Sequence, residues 1–193
     1  MSTVDQKTYT PEDLLAMPNR KDYELVDGHL VEREMSRLSS WVGGQVYYAL
    51  NAFLREQPLG WAWPADQGYA CFPDAPGKVR KPDVSFIRKD RLPDALTSEG
   101  YTYIPPDLAV EVLSPNESAY DVENKVLEYL SAGVALVWVI NPEARTVHIH
   151  REDGSVGWLR EDGELSGEHV VPGFRCRVAA IFPPMPAGSP AAG

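Results

Sequence analysis

The chain contains little that would place it in a membrane or in an oxidising compartment. Its 193 residues include no apolar run approaching the roughly 20 residues that a membrane-spanning helix needs. The first residues, MSTVDQK, lack the basic-then-apolar layout of a signal peptide. The only two cysteines, Cys71 and Cys176, are far apart and form no CxxC pattern, which argues against a disulfide framework. We therefore expect a cytoplasmic protein with reduced thiols and no membrane contact.

Several catalytic signatures are also missing. The sequence has no G-x-S-x-G or Walker A pattern, and neither cysteine lies in a nucleophile motif. His148 and His150 share one face of a predicted strand, but the sequence suggests no third ligand for zinc. There is no internal repeat and no linker, so residues 1–183 are predicted to form one domain. The tail at 184–193, rich in Pro, Ala and Gly, is predicted to be disordered.

Positive charge is scarce. With 18 Lys+Arg against 28 Asp+Glu the net charge is −10, which argues against tight generic DNA binding because such binding is usually driven by basic surfaces. Cations are nevertheless concentrated in one segment, at Lys78, Arg80, Lys81, Arg88, Lys89 and Arg91. This segment could guide phosphate groups, or it could be a solvated strand end with charged flanks.

The hydrophobic pattern predicts an α/β or α+β fold with a mixed central sheet and helices on its faces. Asp27-Gly28 between two apolar runs predicts a hairpin with a type I′ turn. A helix is predicted from Ser39 to about Glu56, capped by Ser39 or Ser40. A buried strand at 108–113, a helix from about 119 to Gly133 and a buried strand at 135–140 have the spacing of a crossover between parallel strands.

Two carboxylates occupy positions where apolar residues are expected. Asp83 follows Pro82 at the start of a strand, and Glu111 lies in the middle of the apolar run LAVEVL. A buried carboxylate is costly unless it is neutral, paired or bound to a metal. Two hard oxygen ligands from adjacent strands, completed by water, describe a Mg²⁺ site. The alternative is a structural glutamate paired with a core arginine or a backbone amide.

Lys125 and Glu24 are weaker candidates from local pattern alone. Lys125 borders the buried stripe of the helix that follows Glu111, so its stem could bring the ammonium to the carboxylates. It could equally be a surface lysine paired with Asp121 or Glu128. Glu24 lies on the first strand of the hairpin, where the local pattern indicates a solvent-facing residue.

Four segments together, in order, resemble the Uma2 family, which belongs to the PD-(D/E)XK or restriction-endonuclease-like superfamily. The resemblance covers roughly residues 8–183 and depends on YELVDG at 23–28, RKPDVS at 80–85, DLAVEVLSP at 107–115, and Lys125 with the EY, GV and VWV residues that follow it. It implies a restriction-endonuclease-like core, a curved mixed sheet between helices, with an N-terminal hairpin and additional C-terminal antiparallel strands. It also implies catalytic roles for Glu24, Asp83, Glu111 and Lys125, with Asp83 and Glu111 as the metal ligands.

One position departs from the superfamily pattern. In its plainest form a lysine stands two residues after the glutamate on the same strand, but Leu113 occupies that position here. The resemblance therefore assigns the lysine's role to Lys125 on the following helix, which requires its ammonium to reach the same space.

The predicted activity is that of an endonuclease that depends on Mg²⁺, or on Mn²⁺ in its place, and hydrolyses phosphodiester bonds of nucleic acid, in the first instance DNA. The alternative, favoured by the acidic charge, is a catalytically weak or inactive nuclease-like module that binds or regulates with a partner. A glycosidase with a carboxylate pair would need a deep sugar cleft that no feature of the sequence demands. Exposed edge strands in the C-terminal half would permit a homodimer.

Overall fold

A computed structural model describes residues 7–33, 36–92 and 100–184. The predicted tail from residue 185 onward lies outside the described residues, as do residues 1–6. Along the chain the helices and strands are α1 (Pro11–Ala16), β1 (Tyr23–Val26), β2 (His29–Glu32), α2 (Arg37–Glu56), β3 (Gly60–Pro64), β4 (Val84–Arg88), β5 (Leu108–Val112), α3 (Ala119–Ser131), β6 (Leu136–Asn141), β7 (Thr146–Arg151), β8 (Val156–Leu159), β9 (Glu164–Ser166) and β10 (Arg175–Arg177).

Six strands form the central sheet in the order β3-β4-β5-β6-β7-β8. The β5 and β6 strands are parallel and are connected through α3, whereas every other neighbouring pair is antiparallel. The predicted mixed sheet with a helical crossover is therefore confirmed. Two small antiparallel pairs, β1-β2 and β9-β10, lie outside this sheet.

Side chains of β5 alternate between two cores. Leu108, Val110 and Val112 pack into a cluster with apolar residues of α2, while Ala109 packs into a second cluster with Val126 and Tyr129 of α3. Each fully buried side chain of this kind contributes about 1.5–3 kcal/mol through removal of apolar surface from water. Because side chains alternate along a strand, Glu111 points to the same face as Ala109, toward α3.

The helix ends follow the capping residues, with one correction. The α2 helix is capped by Ser36, not by Ser39 or Ser40, because Ser36 and Ser39 form a reciprocal capping box in which Ser39 is the third helical residue. The α3 helix begins after Ser118, whose hydroxyl accepts a hydrogen bond from the amide of Asp121. Gly133, with a φ of +93°, follows its end as predicted.

The β1-β2 hairpin has the predicted turn. Asp27 and Gly28 both have positive φ, 51° and 78°, as a type I′ turn requires. The hairpin is fastened to the segment before β4 by backbone hydrogen bonds between Leu25 and Val79. This contact places the first strand beside the segment that precedes β4, and Glu24 is buried there. Within the described ranges, a helix combining the length and hydrophobicity of a membrane span does not occur.

Candidate active site

Asp83 lies immediately before β4, where its backbone and side chain both bind the neighbouring strand. Its amide donates to the carbonyl of Val110 at 2.9 Å, and its Oδ2 accepts a hydrogen bond from the amide of Val112 at 2.8 Å. Its Oδ1 lies 3.3 Å from the guanidinium of Arg33. These contacts fix the carboxylate against the end of β5, one residue beyond Glu111.

Glu111 is held by two side chains of α3. The hydroxyl of Tyr129 donates to its Oε1 at 2.7 Å, and its Oε2 lies 3.4 Å from the ammonium of Lys125. Glu111 is only 5% exposed. The alternative of a glutamate paired with a core arginine does not describe this site, because the partners are a tyrosine and a lysine.

Lys125 extends from α3 toward the carboxylates. Its ammonium lies 2.8 Å from Glu117, 3.4 Å from Glu111 and 3.9 Å from Glu24. The side chain is only 17% exposed. It is therefore not a surface lysine paired with Asp121 or Glu128, and its ammonium lies beside the Glu111 carboxylate.

Glu24 is buried, so the solvent-facing position indicated by its local pattern is wrong. It is 2% exposed, and both carboxylate oxygens have partners. One accepts a hydrogen bond from the amide of Lys81 at 2.7 Å, and the other lies 2.9 Å from the guanidinium of Arg80. The hairpin's attachment at Val79 brings Glu24 to these partners, which follow it by more than fifty residues.

Three of the six cations in the basic segment are buried and do not form an exposed surface. Lys78 and Arg80 both pair with Glu128 of α3, at 2.5 and 2.7 Å, and Lys81 donates to the carbonyl of Arg20. All three side chains belong to buried residues. The three are not a solvated strand end, and Lys78 and Arg80, which pair with Glu128, are not open to phosphate.

The remaining cations of the segment point elsewhere. Arg91 pairs with Asp107 at 2.7 Å, and Arg88 lies 3.4 Å from both Asp90 and Asp107. Lys89 is exposed and forms no ion pair with the described residues. None of these three lines the cavity that Asp83 borders.

The carboxylates differ in their ionisation. Burial raises the pKa of Asp83 and outweighs the Val112 amide and the Arg33 and Lys125 charges, which lower it. Burial likewise raises the pKa of Glu111 to about 7; Lys125 opposes the shift, while the charges of Asp83 and Glu24 add to it. For Glu24, burial is outweighed by Lys125, Arg80 and the Lys81 amide, so its pKa falls below the ordinary value. The pKa of Lys125 is raised above its ordinary value because the attraction of Glu111, Glu24 and Glu117 for its positive charge exceeds the effect of burial.

All four side chains border one cavity of about 330 Å³. Asp83 and Glu111 offer carboxylate oxygens to this cavity, and burial raises the pKa of both groups above the ordinary value. In the part of the chain that the structure describes, no group of three or more His, Cys, Asp or Glu side chains is spaced to enclose a metal. Two carboxylates with open positions suit Mg²⁺, which usually keeps several waters and binds one or two protein carboxylates plus substrate phosphate.

The sequence interpretation missed three residues of the site. Arg33 and Glu117 lie in segments where no pattern marks them as site residues. Tyr129 is buried on α3, and the sequence interpretation did not include its hydrogen bond to Glu111. Its spacing of four residues from Lys125 places both on one helix face, and that spacing could have identified it.

His148 and His150 stay apart from this site. They lie on β7 with ring centroids 6.5 Å apart, and among the described residues no further ligand joins them. The structure therefore adds nothing in favour of zinc.

Comparisons with known proteins agree with this fold. A crystal structure described as "a putative nuclease belonging to DUF820 from Anabaena variabilis ATCC 29413" superposes with a TM-score of 0.74 at 20% identity, over 90% of this chain and 97% of that one. At this identity the similarity concerns the fold. A search of curated proteins gave no match. The family model for Uma2, described as "Putative restriction endonuclease", matches residues 11–179, and the chain therefore belongs to the Uma2 family.

Proposed function

We propose that the protein is a Mg²⁺-dependent endonuclease that hydrolyses phosphodiester bonds of DNA, with Mn²⁺ able to replace Mg²⁺. The observation behind this proposal is that Asp83, Glu111 and Lys125 line one cavity. Asp83 lies just before β4, Glu111 lies within β5, and Lys125 lies on α3. Family membership adds weight, because restriction endonucleases are nucleases that act on DNA.

Asp83 and Glu111 would hold the metal. Their carboxylates belong to adjacent strands, and each keeps one oxygen in a fixed hydrogen bond, to the Val112 amide and the Tyr129 hydroxyl respectively. The other oxygens, Oδ1 of Asp83 and Oε2 of Glu111, have longer contacts, 3.3 Å to Arg33 and 3.4 Å to Lys125, and would bind the cation. A bound Mg²⁺ would polarise the scissile phosphate and lower the pKa of a coordinated water.

Lys125 would orient the attacking water and offset the negative charge that develops on the phosphate. Its ammonium is 3.4 Å from Oε2 of Glu111, so it lies next to the oxygen assigned to the metal. Its raised pKa keeps it cationic, which excludes a role as a general base at neutral pH. A fixed cation in a largely buried site stabilises developing charge far better than one in water.

Glu24 would position other groups. Both of its oxygens are bound, to Arg80 and to the Lys81 amide, and its lowered pKa keeps it ionised. Its contacts, at 2.9 and 2.7 Å, are shorter than the 3.3 Å contact between Oδ1 of Asp83 and Arg33, so we assign the metal to Asp83 and not to Glu24. We assign it the task of fixing the backbone just before Asp83 and of maintaining the positive charge of Lys125.

Purified protein should be tested on supercoiled plasmid with and without Mg²⁺. Wild type should nick or linearise the plasmid only with the metal, and Asp83→Asn should abolish cutting. Glu32→Gln is the matched control, because Glu32 lines the same cavity but is exposed and has no partner among the described residues. Equal cutting by wild type and Asp83→Asn would overturn the proposal. A wild type that binds DNA but never cuts it would favour the alternative of a binding or regulatory module.

A further inference from the structure

A second cavity, of about 220 Å³, adjoins the candidate active site and has the opposite charge balance. Three of its lining side chains are cationic and one is acidic, whereas the first cavity is lined by more acids than bases. Lys21 and Asp66 pair with each other at 2.5 Å, which leaves Arg20 and Lys81 as the cations in excess. The polar residues that line it are Arg20, Lys21, Asp66, Gln67, Lys81 and Tyr101. In a chain of net charge −10, a cationic cavity is an exception that calls for an anionic ligand.

Lys81 lines both cavities and joins them. It is 4% exposed, and within the described residues its ammonium has no carboxylate within ion-pair distance. Its hydrogen bond goes to the backbone carbonyl of Arg20. A buried ammonium without a counter-anion is costly, so an anion bound beside it would be stabilised.

Arg20 supplies a further donor to the same cavity, and Tyr101 forms part of its wall. Arg20 is exposed and forms no ion pair with the described residues. The Tyr101 hydroxyl is buried and has no hydrogen-bond partner in the described ranges. Its ring lies so close to Gly68 that a side-chain carbon there would approach it to 2.7 Å, so the glycine is what permits this placement.

We propose that this second cavity binds a phosphodiester group of the substrate strand, next to the phosphate that is cleaved. The proposal rests on the proposed nuclease function for the identity of the ligand. Arg20 and Lys81 would neutralise the phosphate. Phosphates follow one another along a strand at about 3.4 Å of helix axis, so a second phosphate near the scissile one is unavoidable. Two cavities that share one lysine side chain suit such neighbouring phosphates.

The test is the salt dependence of binding to a short fluorescein-labelled single-stranded oligodeoxynucleotide, measured by anisotropy in EDTA so that no cleavage occurs. Arg20→Gln should weaken binding about threefold to tenfold and reduce the slope of log K against log [salt] by about 0.7, the value for one phosphate contact. Arg177→Gln is the matched control: Arg177 is also exposed and unpaired among the described residues, but it precedes the turn that packs with the α2 core.

Lys81→Met provides a second variant, since methionine keeps much of the buried stem of lysine. It should reduce the slope by a similar amount, with the melting temperature recorded to confirm folding. Unchanged slopes in Arg20→Gln, or no binding by wild type, would overturn the phosphate site. Equal loss in Arg20→Gln and Arg177→Gln would also overturn it, because the effect would then be one of net charge.

A competition with inorganic phosphate separates the substrate strand from free phosphate as the ligand. If Arg20→Gln weakens competition by inorganic phosphate while oligonucleotide binding is unchanged, the assignment to the strand is wrong. The result is also separable from the nuclease proposal. If Arg20→Gln reduces the salt slope of oligonucleotide binding but wild type cuts no plasmid, the phosphate site is supported and the nuclease activity is contradicted. If wild type cuts plasmid and needs Asp83 to do so, but Arg20→Gln leaves the salt slope unchanged, the nuclease activity is supported and the phosphate site is contradicted.

Discussion

The hydroxyl of Tyr129 donates a 2.7 Å hydrogen bond to Oε1 of Glu111, while the other oxygen of Glu111 lies 3.4 Å from the Lys125 ammonium. Tyr129 is fully buried, and burial, with the nearby charges of Glu111 and Glu24, raises its pKa, so the hydroxyl stays protonated and remains a donor. One oxygen of Glu111 is thereby fixed within the core, and the other is turned toward the cavity.

Tyr129→Phe should weaken the apparent affinity for Mg²⁺ about 10- to 100-fold, the usual effect of removing a hydrogen bond that orients a metal ligand. The Mg²⁺ concentration that gives half-maximal cleavage measures it. Tyr69→Phe is a matched control, because Tyr69 is also fully buried and donates a 2.7 Å hydrogen bond, to Ser85 in the same core. Equal shifts in both variants would mean that Tyr129 contributes only to general stability.

Lys125→Met should reduce the maximal cleavage rate at least about 100-fold, because it removes a fixed cation from the site of developing charge. Lys125→Arg should recover part of that rate, since charge is kept while the geometry changes. Lys89→Met, at an exposed lysine that does not line the cavity, should leave the rate unchanged. A Lys125→Met enzyme with the wild-type rate would remove lysine from the mechanism.

Mg²⁺ should stabilise the protein more at pH 8 than at pH 6. The pKa of Glu111 is about 7 in the folded chain against an ordinary 4.5, so the metal-free folded state binds more protons and loses stability as pH rises through this interval. Because only the carboxylate binds the cation, the shift in melting temperature on adding Mg²⁺ should grow across the same range. In Glu111→Gln the shift should be small and independent of pH; a wild-type shift that is flat with pH would contradict the assignment.

Glu24→Gln should lower the free energy of unfolding at pH 7 by about 3–5 kcal/mol, since it leaves the buried Arg80 without one of its two carboxylates. The pKa of Glu24 is lowered in the folded state, so its contribution is present above the ordinary value of 4.5 and is lost as pH falls through the lower folded value. Urea unfolding at several pH values measures this. Glu32→Gln, on the neighbouring hairpin strand but exposed, should show neither effect.

Local pattern predicted what depends on neighbouring residues and missed what depends on distant ones. The apolar run LAVEVL predicted that Glu111 is buried, and helical spacing placed Lys125 at the border of the buried stripe of its helix, as the structure has them. The burial of Glu24 was not predictable locally, because its partners Arg80 and Lys81 follow it by 56 and 57 residues. Lys78 and Arg80 were misjudged for the same reason, since their partner Glu128 lies on α3.

The anomalous scattering of Mn²⁺ in a crystal of the wild-type protein tests the central claim most directly, because it locates the metal without an activity assay. We predict one strong peak within coordination distance, about 2.0–2.6 Å, of Oδ1 of Asp83 and Oε2 of Glu111. The same soak of Glu111→Gln should show a weaker peak or none. A peak that avoids both carboxylates, or wild-type crystals without any peak in the cavity, would contradict the account.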